Sequence, residues 1–481
     1  MPRERSWDLL VVGGGTAGLV GARTAAALGA RVAMVERDRP GGDCLWTGCV
    51  PSKALLAAAA RAAEARTAGE LGVAVGAVTV DLAAVMRHVH GAVRAIEPED
   101  SPETLAGYGI TVLAGTARLT DPRTATVDGT PHAFRAALLA TGAVPVLPPV
   151  PGLREAGALT SETVWDLEVL PRRLAVLGGG GIGCELGQAF ARLGAEVTLV
   201  EELDRVLPDE DPDASALVAA AMEADGARLL TGTRVTAVAG IPGGGGELTV
   251  RGPDGEHTLP YDRLLVSVGR RPDTTALDPA AAGVALDDDG YVRVDRTLRT
   301  TNPRIWAAGD LTAASRWTHT AGVHAATATV NALLGLRRPA ETRAVPRVTF
   351  TDPEVAAVGA PTWARDGAPA PRTVTRRADR VDRAVAEGRT AGFSRLALGR
   401  RSRVEGATVV GPRAGEALAE LTLAVRTGLR TGDLAATIHP YPTHADGPWN
   451  AALDDVWARL AARPVRLATT AAVRLRALLT R

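Results

Sequence analysis

The stretch Asp8–Glu36, DLLVVGGGTAGLVGARTAAALGARVAMVE, reads as strand, glycine turn, helix, strand and terminal acid. Its first five residues are a short apolar run, GLVGARTAAALGA has the composition of a helix, and RVAMVE returns to a strand. Gly13, Gly15 and Gly18 satisfy G-x-G-x-x-G, and Glu36 follows Gly18 by 18 residues. Each part has a mechanical use. Gly13 permits a tight turn, Gly15 lets a pyrophosphate approach the backbone, Gly18 lets helix and strand pack closely, and Glu36 can accept a ribose hydroxyl. A fingerprint without its strands is a weak signal, but here every element is in register. The design returns at 174–201, LAVLGGGGIGCELGQAFARLGAEVTLVE, with Gly178, Gly180 and Gly183, and with Glu201 again 18 residues on. Two copies imply two dinucleotide sites and an electron path between two cofactors; the alternative is a duplication with one dead site.

Between the copies lies GGDCLWTGCVPSKALL (41–56), which holds Cys44 and Cys49, two of the chain's three cysteines, with four residues between them. The spacing fits about one helical turn, close enough for a short disulfide ring, and a thiol at a helix start is drawn toward thiolate. An accidental or structural pair is the alternative. A zinc site would need more Cys or His ligands nearby, and none follows before His88. Lys53 is the chain's only lysine, which suggests a compact ammonium with a task that arginine's planar fork cannot perform.

GGDCLWTGCVPSKALL resembles the redox-active segment of the pyridine nucleotide–disulfide oxidoreductases, the family of dihydrolipoamide dehydrogenase, glutathione reductase and mercuric reductase. The resemblance extends over about residues 7–460. It implies an α/β fold of two Rossmann-like domains, binding FAD and NAD(P), followed by a C-terminal α+β dimerisation domain. The expected division is 1–150 and 274–343 for the FAD-binding part, 151–273 for the NAD(P) domain, 344–462 for dimerisation and 463–481 for a basic tail. By resemblance Cys44 exchanges electrons with substrate, Cys49 lies against the flavin as a thiolate, and Lys53 sits near the flavin ring, paired with Glu185. FAD then falls on Gly13, Gly15, Gly18 and Glu36, with Gly115, with Thr141 and Gly142 in the ATGA crossing, with Asp310 of TNPRIWAAGDLT, and with Thr318 and His319. A nicotinamide falls on Gly178, Gly180, Gly183, Glu201 and Gly269. Glu201 would accept a 2′-hydroxyl and repel a 2′-phosphate, so NADH is expected over NADPH, with Arg205 the nearby group that could reverse this. Cys184 reads as a small apolar packing residue.

The chain departs from the thiol reductases near its end. Those enzymes carry His-Pro-Thr and a glutamate as a proton relay across the dimer. Here the run is Ile438-His439-Pro440-Tyr441-Pro442-Thr443-His444-Ala445-Asp446. Aligned on Pro-Thr, Tyr441 takes the base position and Asp446 the acid position, with His439 and His444 as competitors. Mercuric reductases also resemble this, with tyrosine there, but they carry a further C-terminal cysteine pair. No cysteine follows Cys184 here.

Lys and Arg total 54 and Asp and Glu total 54, so neither a nucleic-acid footprint nor an acidic tail stands out. No stretch reaches the roughly 18 uninterrupted apolar residues of a membrane span. The expectation is a cytoplasmic homodimer without metal that passes electrons from NAD(P)H to a small acceptor: a disulfide, a metal ion or a quinone-like molecule. A diaphorase or NADH oxidase using flavin directly is one alternative, and a redox-sensing flavoprotein without turnover is another. The tail 463–481 has five arginines and no acid; it reads as a terminal helix docked on the partner or a frayed end, with an interfacial helix as the other reading.

Overall fold

The computed structural model describes residues 6–242, 244–314, 317–364 and 369–480. The first motif folds as its spacing predicts, into β1 (Trp7–Val12), α1 (Thr16–Ala27) and β2 (Val32–Glu36). The cysteine segment forms α2 (Gly42–Trp46) and α3 (Cys49–Thr67), and β3 (Ile110–Ala114) and β4 (Thr130–Leu139) follow. The second motif gives β5 (Arg173–Leu177), α4 (Gly181–Leu193) and β6 (Glu196–Val200), then α5 (Pro212–Ala224) and β7 (Arg263–Val266). Last in this part come β8 (Ile305–Ala307) and α6 (Thr318–Leu334). Leu105 lies in a short helix, Pro102–Gly107, because Ser101 accepts from the Thr104 amide and Pro102 suits a first turn.

Parallel strands run in the order β3-β2-β1-β4 with β8 beyond β4, in the register Leu9↔Val32 and Leu9↔Ala136. Side chains alternate across this sheet and both faces are buried, which explains the unbroken apolar runs. Leu9, Val11 and Leu138 pack on the side of α1 and α6, while Leu10, Val12 and Leu139 pack on the other. The second sheet, Arg228–Leu230, β6, β5 and β7, is also parallel. In such sheets the glycine turn lies at the carboxyl end of the first strand, where ligands bind.

The chain divides into two compact units, Met1–Asp204 with Asp225–Thr342, and Arg205–Ala224 with Arg343–Arg481. Segment 205–224, expected in the NAD(P) domain from its place in the chain, therefore groups with the C-terminal unit. Paired charges account for this. Arg347 grips Glu210 through two bonds of 2.6 and 3.0 Å, and Arg395 bonds Asp211 and Asp213, each at 2.7 Å. This unit is built on an antiparallel sheet in the order Pro346–Thr349, Glu354–Gly359, Val404–Gly411, Phe393–Leu398, Thr373–Arg377. Helices α7 (Ala414–Thr427), α8 (Asp446–Ala461) and α9 (Arg463–Leu479) complete it. Among the described residues, no helix is long and apolar enough to cross a membrane.

Candidate functional site

The two glycine turns are near copies. Gly13 and Gly178 adopt φ of 106° and 105°, which disfavours any side chain. A Cβ on Gly18 would stand 1.8 Å from the Gly13 carbonyl oxygen, and one on Gly183 would stand 1.9 Å from that of Gly178. Helices α1 and α4 begin at Gly15 and Gly180 with no side-chain cap and no acid in the first turn. Their first amides are thus left for an anion, and the helix dipole favours one. Glu36 accepts from the Gly14 amide and Glu201 from the Gly179 amide, both at 2.6 Å, so each carboxylate is held across its own glycine turn.

A cavity of about 380 Å³ opens over the first turn. Gly13, Gly15, Glu36, Gly115, Thr141, Gly142, Asp310 and Thr318, all expected at the flavin site, line it, and so does Cys44, which was expected on the substrate side. His319 does not: it is exposed and stacks on Trp317, with ring centroids 6.2 Å apart. Gly42 makes room here too, since a Cβ on it would meet Gly15 Cα at 2.5 Å. The bare helix start, the glycine walls and the carboxylate at the end of β2 fit the pyrophosphate and ribose of a dinucleotide.

The two cysteines do not share one helix, as their spacing suggested. Cys44 lies in α2 and Cys49 is the first residue of α3, with Thr47 and Gly48 breaking the chain between them. At Gly48 a Cβ would come within 2.8 Å of the Asp43 carbonyl oxygen, so the turn closes only on glycine. Neither cysteine is in a disulfide here. The Cys49 thiol is lowered to about 6, first by the Cys44 thiol hydrogen-bonding to it and then by Thr318 and the Lys53 charge, against the opposing effect of burial. Its sulfur lies 3.3 Å from Thr318 Oγ1. Cys44 moves the other way, far above the usual thiol range, because it shares its proton with Cys49, is partly buried and faces the charge on Cys49. One sulfur is therefore held as the anion and the other as its proton donor.

This polarity predicts a measurement. In the reduced protein, Cys49 is expected to alkylate with a half-maximum near pH 6, while Cys44 stays unreactive into the alkaline range. Peptide mapping after pulsed iodoacetamide reads both sites, and the reverse order would overturn the polarity.

Lys53 Nζ lies 2.8 Å from Glu185 Oε2, tying the cysteine helix α3 to the second-motif helix α4. Glu185 is buried, at 8 % exposure, so the pair is largely shielded from water on the carboxylate side. Cys184 beside it is buried, with its sulfur 3.2 Å from the Gly179 carbonyl, a packing position as expected.

A charged cluster beside Cys44 had no signal in the sequence. Arg270, next to Gly269, bonds Asp43 and the Ala143 carbonyl, and Glu162 stands 3.7 Å away. Burial and the nearby Asp43 raise the Glu162 carboxyl. Trp165 also donates to the Thr47 carbonyl at 2.9 Å, fixing the turn between the cysteines.

The amino-acid pattern has matching relatives. The family model described as pyridine nucleotide-disulphide oxidoreductase matches residues 7–329, and its dimerisation domain matches 345–452. The chain belongs to this family. It is 36 % identical to a mercuric reductase of Bacillus cereus over 92 % of this chain and 70 % of that one. A dihydrolipoyl dehydrogenase of Chlamydia pneumoniae is 33 % identical, over 94 % of this chain and 96 % of its own. The solved structure of LpdA from Mycobacterium tuberculosis superposes with a TM-score of 0.83 at 31 % identity, covering 93 % of this chain and 99 % of that one. The protein is thus an FAD-dependent pyridine nucleotide-disulphide oxidoreductase that uses NAD(P)H, and its dimerisation domain supports a homodimer.

Within the C-terminal unit the expected relay residues have separate partners. His439 bonds Glu420 at 2.8 Å and stacks on Trp449, and His444 bonds Glu387 at 2.9 Å. Both imidazoles are largely covered, at 8 and 10 % side-chain exposure. Tyr441 is 69 % exposed and donates its hydroxyl to Asp382, which raises its pKa. Asp446 is buried and accepts from the Thr443 amide at 2.9 Å.

Proposed function

We propose that this enzyme passes electrons from NADH, through Cys49 and then Cys44, to a small acceptor in the cytoplasm. The observation that supports it most is the opposed state of the two sulfurs, with Cys49 held as a thiolate by the Cys44 thiol, by Thr318 and by the Lys53 charge, and with Cys44 protonated. FAD, held by Gly13–Gly15, Glu36 and Asp310, supplies when bound the two-electron connection between nicotinamide and disulfide. Lys53 places a positive charge beside the site, and Glu185 fixes its direction at 2.8 Å. With a disulfide acceptor the exchange balances as follows. Two electrons and two protons, one carried with the hydride and one from solvent, open Cys44–Cys49 to two thiols. Cys44 passes its proton to the Cys49 thiolate and attacks one acceptor sulfur, whose partner leaves as a thiol with that proton; the Cys49 thiolate then closes on Cys44 and expels the second sulfur, which takes a proton from solvent.

NADH is favoured by Glu201, whose carboxylate stands at the end of β6 and already binds the Gly179 and Leu203 amides. Arg205, the group that could reverse this, donates to the Pro208 carbonyl at 2.7 Å. Turnover with a panel of small disulfides, Hg(II) and quinones, each with NADH and NADPH, tests both parts. NADH is expected to give the higher kcat/KM, and Glu201→Ala is expected to narrow the gap about tenfold, roughly one charged hydrogen bond. A wild-type preference for NADPH would refute the ribose argument. Absence of turnover with every acceptor, in protein holding FAD, would favour a sensor over an enzyme.

A further inference from the structure

The helix α9 lies beyond the family model's last matched residue, 452, and none of its side chains is buried against the rest of the chain. Ala462, with extended backbone, and Pro464 in the first turn separate it from α8. At 3.6 residues per turn its apolar side chains gather on one face of roughly 160°. Val465, Leu467, Leu475, Leu478 and Leu479 lie on that face and are 39 to 78 % exposed. Arg476 borders it on one side and Arg463 and Arg474 on the other; Arg466 is opposite, and Val473 is the one large apolar residue off the face. Arg463, Arg466, Arg474 and Arg476 make no ion pair among the described residues, and no acid occurs from 463 to 481.

We infer that α9 docks the enzyme on an anionic lipid surface, lying in the interface with the leucine face down. Charge decides between occupants. A protein surface that covered this face would have to supply acids to the three arginines that border it, whereas the last acids before this helix in the sequence, Asp454 and Asp455 of α8, are already committed to Arg376, Arg372 and Arg459. An anionic bilayer supplies that charge continuously, and arginines at the border of an apolar face can bury their stems and keep their heads among phosphates. At 17 residues with four arginines, α9 can lie on a membrane but is no candidate to span one.

Sedimentation of the full-length, FAD-loaded protein with vesicles tests this independently of the electron acceptor. Vesicles of phosphatidylcholine with one quarter phosphatidylglycerol are expected to carry down at least ~10-fold more protein than pure phosphatidylcholine at low salt, and most of that excess should vanish at 0.3 M NaCl. Leu475→Glu with Leu478→Glu, and separately Arg474→Gln with Arg476→Gln, are expected to abolish the excess while FAD content stays unchanged. Equal binding to both vesicle types, or binding that survives both pairs of substitutions, would overturn the inference. Failure to sediment, together with a change of oligomeric mass on the leucine substitutions, would assign the face to a second copy of the chain and overturn it equally.

Discussion

Cys44→Ser is expected to lower reduction of disulfide or metal acceptors by a factor on the order of 10³ or more, the scale on which loss of a covalent nucleophile acts. The same variant is expected to keep most of its NADH-dependent reduction of a one-electron dye. The reason lies in the division of labour between the sulfurs. Cys44 is the sulfur that the family resemblance assigns to the acceptor, and a serine hydroxyl cannot form or leave a disulfide. Cys49 keeps Thr318 at 3.3 Å and the Lys53 charge, and a serine at 44 still offers it a hydrogen bond. A long-wavelength absorbance from the Cys49 thiolate beside bound FAD is therefore expected to persist in Cys44→Ser and to disappear in Cys49→Ala. Stopped-flow spectra and an acceptor assay read the two effects separately. Acceptor reduction within about tenfold of wild type in Cys44→Ser would mean that electrons leave without this sulfur, as a diaphorase would have it.

Much of this arrangement was legible in the chain because local geometry dictates it. Gly13, Gly18, Gly178 and Gly183 sit where a Cβ would strike backbone or φ is positive, so the turns can be written in few ways. The lone lysine was legible for a similar reason: a composition that uses arginine elsewhere kept an ammonium at the position that meets Glu185. The break between α2 and α3 was not, because the cysteine spacing suits a helical turn and only the close approach of Gly48 to the Asp43 carbonyl rules it out. Nor was the Arg270 contact with Asp43, which joins residues 227 positions apart in a chain full of arginines. The grouping of Glu210–Asp213 with the C-terminal unit has the same origin, since pairing with Arg347 and Arg395 depends on tertiary placement and leaves no period in the sequence.

Tyr441→His is expected to raise dihydrolipoamide oxidation by roughly 10²-fold or more, within the range a positioned general base contributes. The wild type needs such a base because a substrate thiol must lose its proton before it can attack the Cys44–Cys49 disulfide. Tyrosine cannot serve. Its ordinary pKa is near ~10, and the bond to Asp382 and that carboxylate's charge push it higher still. The histidines on either side are poor substitutes, for His439 is committed to Glu420 and Trp449, His444 to Glu387, and both are largely covered. Tyr441 is the exposed member of the three, as a residue offered to a second subunit should be. An imidazole in its place would keep Asp382 as an orienting carboxylate and titrate near ~6.5, so the variant's rate should rise with pH through that range. Reduction by NADH should be unchanged, because Tyr441 lies in the C-terminal unit while the glycine turns and both cysteines lie in the other. Fast dihydrolipoamide turnover by the wild type, lost in His439→Ala or His444→Ala, would show that one of those histidines holds the proton-relay position and that the alignment on Pro442-Thr443 is wrong.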